Sequence, residues 1–191
     1  MTTQPSKLSR QDRTEIISRV RQVAACHLGT APLPTDRPEW SDLDYGGVFV
    51  TFKHADRLRG CMGTLMPQGP FDQALAHVTV LSLSDPRFVS QPITAEQLPE
   101  LSVEVSILTL PQRVTDAASL VAGRHGVIVS AGGRTGCLLP QVASERGWDI
   151  PTLLSECCRL KAGLPADAWR NPKTRIEVFE AVIVRQENPT G

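Results

Sequence analysis

Ser102-Val103-Glu104-Val105-Ser106-Ile107-Leu108 alternates apolar and polar side chains. Successive side chains of a strand point to opposite faces. Val103, Val105 and Ile107 therefore share one face, and Glu104 and Ser106 share the other. This is a half-buried strand with one polar face. Upstream, residues 46–53 hold Val48, Phe49, Val50, Thr51 and Phe52, a β-branched and aromatic run that predicts another strand. Downstream, residues 126–130 and 136–139 flank Ala131-Gly132-Gly133-Arg134, which reads as a hairpin. Residues 174–185, with Ile176, Val178, Val182 and Val184, are predicted as one closing strand.

Helical signals lie between these runs at scattered positions. Residues 9–28 place Ile16, Ile17, Val20, Val23 and Ala24 at helical spacing, with Ser9 as N-cap and Asp12 near the helix start. Residues 71–84 predict a second helix, ended before Pro86 because the residue preceding a proline leaves helical geometry. Residues 151–161 predict a third, stopping near Gly163. Residues 29–44 hold Pro32, Pro34 and Pro38 and are expected to form an extended surface connection. Strands in runs, without regular βαβα alternation, indicate an α+β chain with a mainly antiparallel sheet and surrounding helices.

Composition narrows the function. At 41% hydrophobic and 21% charged, the 191-residue chain is neither disordered nor fibrous. Lys plus Arg and Asp plus Glu both number 20, giving zero net charge. Proteins that live by phosphate contacts carry a basic excess, so no general nucleic-acid binding is expected. No apolar run reaches the roughly 20 residues of a membrane helix, and residues 1–12 lack a hydrophobic signal core, so no membrane partner and a cytoplasmic location are expected. Five cysteines without a Cys-x-x-Cys pair predict neither a disulfide framework nor a zinc site. No metal or other cofactor is expected, and no glycine-rich phosphate loop is present.

Chemistry concentrates in Leu58-Arg59-Gly60-Cys61-Met62-Gly63, which follows the first predicted strand after one short turn. Thiolate is the reactive form of cysteine, and a nearby cation favours it. Cys61 is the candidate nucleophile, covalent carrier or metal ligand. Its other reading is a small buried hydrophobe in a tight turn. Arg59 would favour the thiolate or bind an anion in forked geometry, or else bond loop carbonyls. If the motif is extended, residues 59 and 61 share a face. The other four cysteines, Cys26, Cys137, Cys157 and Cys158, are expected in the core.

The hexapeptide is similar to the Leu-Arg-Gly-Cys-Ile-Gly signature of AMMECR-type domains, with Met62 in place of isoleucine. Four further stretches fit the same family in order. They are Asp85-Pro86-Arg87-Phe88; Val103 through Leu108; Gly126-Val127-Ile128 through the glycine hairpin to Leu139-Pro140-Gln141-Val142; and Lys161-Ala162-Gly163-Leu164-Pro165 with Trp169. The resemblance implies a single domain over residues 1–191 with its core at about 16–184, two unequal lobes, and flexible ends at 1–8 and 187–191. Bacterial members resembling this chain are labelled protein A of the AmmeMemoRadiSam system, whose other parts are a Memo-like protein and a radical SAM enzyme. Some relatives are joined to a domain similar to the LigB-type extradiol dioxygenases. These associations imply a component of a multi-protein redox or radical-chemistry system, with a partner or small-molecule ligand bound in a cleft around the motif. The alternative is a cysteine-dependent enzyme using Cys61.

Other candidates follow from residue chemistry. Glu104 would act as a base or ligand if its face lines a cleft, or would pair with an arginine such as Arg87. Arg87 would anchor an anion, while Asp85 at its turn would bond its own backbone. Gly60, Gly63 and Ser106 would line the site. His54 and His77 are the histidines nearest Cys61 in sequence. Gln141 would donate to an oxyanion or brace the helix that follows it.

Overall fold

The structure is a computed structural model that describes residues 4–65 and 69–186. The chain divides into two compact units. One runs to Thr109 and resumes at Val182; the other is Leu110–Ala181.

The first unit is built on a sheet of order β2-β1-β3-β8, in which β1 is Gly47–His54, β2 is Arg57–Thr64, β3 is Ser102–Leu108 and β8 is Ala181–Arg185. β1 pairs antiparallel with both β2 and β3. Val103, Val105 and Ile107 of β3 are buried on one face, as their alternation predicts, together with Val48, Val50 and Phe52 of β1. Helices α1 (Arg10–His27) and α2 (Phe71–Leu83) supply the rest of this core through Ile16, Val20, Leu75 and Val78. Burying one such side chain stabilises by about 1.5–3 kcal/mol. Ser9 caps α1 in a reciprocal capping box with Asp12.

The proline-rich connection departs from its expectation as a surface segment. Glu39–Asp42 form a 3-10 turn that buries Trp40. Its ring meets Phe71 edge-on at 5.8 Å, and Tyr45 meets the same ring at 5.1 Å. Of the ends expected to be flexible, Leu8 is buried in the core, while residues 1–3 and 187–191 lie outside the described residues.

The β1–β2 hairpin turns through Ala55 at φ +44° and Asp56 at φ +63°. Alanine in left-handed geometry costs about 1–2 kcal/mol, and glycine removes that cost while losing about 0.5–1 kcal/mol of unfolded-chain entropy. Ala55→Gly is therefore expected to raise stability by about 0.5 kcal/mol, read as a higher urea midpoint.

The second unit has sheet order β4-β7-β5-β6: β4 is Gln112–Val114, β5 is Gly126–Ala131, β6 is Arg134–Leu138 and β7 is Arg175–Phe179. Gly132 and Gly133, at φ +57° and +76°, make the predicted β5–β6 hairpin. Helices α3 (Pro140–Arg146) and α4 (Ile150–Glu156) follow, and α4 continues into a π-helical segment, Cys157–Ala162. Val127, Val129, Leu138, Leu153, Leu154, Cys157 and Cys158 form the core here. Burial pushes the Cys157 thiol up to about 12. Cys137 on β6, partly buried, is pushed up to about 12 as well.

The predicted closing strand, 174–185, is two strands. β7 belongs to the second sheet and β8 to the first, with Glu180 between them. Apolar alternation marks both strands but carries no information about which sheet each joins.

Candidate functional site

The Cys61 motif is not a turn but part of β2, an edge strand. Its glycines answer packing rather than a special backbone angle. A Cβ on Gly60 would lie 2.0 Å from the carbonyl oxygen of Ser82 on α2, and one on Gly63 would lie 2.1 Å from the Phe49 ring. Real Cβ contacts of that length do not occur, so α2 and Phe49 reach β2 only because side chains are missing there. Ser82 Oγ accepts from Met62 N at 3.0 Å, and its one proton is shared between Val50 O at 2.9 Å and Val78 O of its own helix at 2.8 Å, which ties α2 to both strands.

On the opposite face Cys61 stands across from Thr51, and Thr51 across from Glu104 on β3. Thr51 Oγ1 donates to Cys61 Sγ at 3.3 Å. In the next row Gly63, Phe49 and Ser106 are aligned. Cys61 is partly exposed, whereas Thr51 and Ser106 are 8% and 4% exposed.

The main chain of Cys61 points out of the sheet edge and is fixed from both sides. Asp85 Oδ2 accepts its N–H at 2.9 Å, and Arg87 Nη2 donates to its carbonyl at 2.9 Å. Asp85 also accepts from Arg87 N at 3.0 Å, from Arg87 Nε at 3.0 Å and from Nη2 at 2.6 Å. The Asp85 side chain is 1% exposed and that of Arg87 57%. Hydrogen bonding from the Arg87 guanidinium, helped by the Cys61 N–H and opposed by burial, holds the Asp85 carboxyl well below the usual carboxylate range. The same contact, with a smaller contribution from Cys61, raises Arg87. Asp85 thus bonds its own turn, as expected, and in addition closes an edge that would otherwise present open backbone groups.

Other candidates take different partners. The β1–β2 register shifts at Phe52/Lys53, so that Lys53 faces Leu58, Phe52 faces Gly60, and Arg59 is the extra residue. Arg59 Nη2 donates to Gln91 O at 3.2 Å and Gln97 Oε1 at 3.3 Å, and among the described residues its buried Nε has no partner. Glu104 does not pair with Arg87. It pairs with Arg185 of β8 at 2.8 Å and Lys53 at 3.9 Å, charges that its sheet neighbours supply. His54 pairs with Glu100 at 3.2 Å, and His77 is exposed on α2; among the described residues the side chains hydrogen-bonded to Cys61 are those of Thr51, Asp85 and Arg87, not either histidine. Gln141 lies in the second unit, at the second position of α3, with a buried Oε1 that has no hydrogen-bond partner among the described residues.

Two hollows flank this part of the first unit. One, about 220 Å³, is lined by Gly63, Thr64, Ala74, His77, Val78 and Leu81. The other, about 460 Å³, includes Lys53, Glu104 and Arg185. Among the described residues no group of three or more His, Cys, Asp or Glu is placed to hold a metal ion, and no helix is long and apolar enough to cross a membrane.

Comparison with known proteins decides the kinship. The AMMECR1 family model matches residues 11–184. The chain belongs to the AMMECR1 family. A relative from Methanopyrus kandleri is 36% identical over 195 residues, covering 97% of this chain and 93% of that protein. One from Methanothermobacter thermautotrophicus is 37% identical over 190 residues, covering 94% and 97%. The crystal structure of an uncharacterized protein from Pyrococcus horikoshii is 34% identical and matches with a TM-score of 0.76 over 93% of this chain and 92% of that one. The α+β architecture is therefore that of a solved relative, and at Cys61 the hexapeptide meets the Asp85 turn, with Thr51 of β1 standing between Cys61 and β3.

Proposed function

We propose that this AMMECR1 protein is a component of a multi-protein redox or radical-chemistry system and binds a small ligand or partner at the sheet edge that presents Cys61. One observation carries the reading: a partly exposed thiol whose peptide group is held on both sides by the Asp85–Arg87 pair. A fixed soft side chain at a surface suits recognition, because little ordering remains to be done on binding. The surroundings favour binding over acid–base catalysis. Glu104, the candidate base on this face, is already occupied by two cations. Arg87, 57% exposed at the motif, spends Nε and Nη2 on Asp85 and Cys61 O and offers Nη1 to an anion, the role that residue chemistry suggested for both Arg87 and Arg59. The redox setting rests on the family association with Memo-like and radical SAM proteins.

The test is complex formation between the purified chain and a Memo-like protein and a radical SAM enzyme of the same organism, followed by analytical ultracentrifugation. The expected result is a complex that weakens when Cys61 is carbamidomethylated, with modification confirmed by mass spectrometry. A complex indifferent to that modification would overturn the assignment to Cys61. Absence of a complex together with turnover by the isolated chain would favour the cysteine-dependent enzyme instead.

A further inference from the structure

The second unit holds an open groove of about 790 Å³ that the reading of Cys61 does not use. Leu164, Pro165 and Ala168 give it apolar surface, and Arg134, Arg170 and Asp167 line it as well. It is assembled from the glycine hairpin, from the stretch after Lys161 that the sequence had also singled out, and from residues 170–174, which it had not.

Both arginines are positioned by the fold. Arg134 begins β6 at the exit of the hairpin and donates Nη1 to Gly163 O at 2.6 Å. That uses one of its five N–H donors. The Arg170 guanidinium lies over the Trp169 ring, 4.6 Å from its centroid, and the indole is itself anchored by Nε1 donating to Ser155 Oγ at 3.0 Å. A stacked guanidinium keeps its in-plane donors available for a carboxylate fork. Arg124, Arg159 and Arg175 of the same unit pair with Glu180, Glu156 and Glu177. Among the described residues neither Arg134 nor Arg170 has a carboxylate partner.

We infer that this groove docks an extended peptide segment of a partner protein in which a carboxylate side chain neighbours an aliphatic one. Two cations against the single Asp167 leave the lining positive, which selects an acidic occupant. The Leu164–Pro165–Ala168 surface receives an aliphatic side chain. The trough is open, whereas small-molecule sites enclose most of their ligand. An extended segment alternates its side chains and can meet an apolar surface and a cationic rim in consecutive positions. This site is independent of Cys61.

Fluorescence anisotropy would test it with two labelled peptides, Gly-Leu-Glu-Leu-Glu-Gly and its counterpart Gly-Leu-Gln-Leu-Gln-Gly. The glutamate peptide is expected to bind at least about tenfold more tightly, and Arg134→Gln with Arg170→Gln to remove that preference. Asp167→Asn is expected to tighten binding, an effect that a damaged fold does not produce. Arg124→Gln, at an arginine already paired, is expected to leave binding unchanged. Equal or absent binding of the two peptides, or a preference that survives the double arginine variant, would overturn the inference. Full displacement by inorganic phosphate, with no loss when serine replaces both leucines, would make this an anion site and remove the peptide.

Discussion

Gly60→Ala is expected to destabilise the chain by about 3 kcal/mol, a large change for a single methyl group. The added Cβ would stand 2.0 Å from Ser82 O. That atom belongs to the backbone of α2, so relief requires the helix to move rather than a side chain to turn. Movement of α2 would also pull Ser82 Oγ away from Met62 N and Val50 O, two bonds that a buried hydroxyl cannot replace with water. Gly63→Ala provides the internal control. Its Cβ meets the ring of Phe49, a side chain able to rotate, and its cost is expected to be smaller. Urea denaturation of both variants measures the difference. Equal midpoints would mean that the approach of Ser82 O is not what demands glycine.

Asp85→Asn is expected to cost about 2–3 kcal/mol at neutral pH. The variant keeps an acceptor for the Cys61 N–H but loses the charge that Arg87 pairs with. Because the Arg87 side chain is 57% exposed, water takes over part of its solvation and keeps the loss from being larger. The pH dependence identifies the group. The folded-state value of Asp85 is depressed, so its stabilisation is complete above the ordinary aspartate value of about 3.9. It declines as pH falls below that value and is lost through the still lower folded value. The gap in unfolding free energy between the wild type and Asp85→Asn should therefore narrow as pH drops from 4 towards 2. A gap of constant size across that range would show that the carboxylate charge is not what stabilises the turn.

Local features were legible where local physics decides them. The alternation in β3, the cap at Ser9 and the glycines of the second hairpin each declare themselves within a few residues. Long-range choices were not. Glycine at 60 and 63 signals a turn and a close approach equally well, and only the position of α2 and Phe49 separates the two. Arg59 is nearer to Cys61 in sequence, yet a one-residue bulge sends it to Gln91 and Gln97, while Arg87 arrives from the far end of α2. Pairing of Glu104 with an arginine was one reading of its chemistry, with Arg87 as the example, but which arginine was not legible: β8 lies beside β3 and supplies Arg185. Trp40 sits in a segment whose prolines and charges mask its burial.

The change of sheet at Glu180 also orders the assembly of the chain. The second unit is a continuous stretch inserted into the first, which lacks β8 until the insertion has been made. On a ribosome, β3 emerges long before the strand that will cover its open side. The inserted unit depends on no later segment and is free to form first, consistent with the N-to-C order in which contiguous units fold during synthesis. The host unit closes last, by capturing a strand from the far end of the chain across a loop that the insertion has already compacted, which lowers the entropy of that closure. Until then β3 is an unprotected edge, and a chain cut short after Phe179 would keep it so.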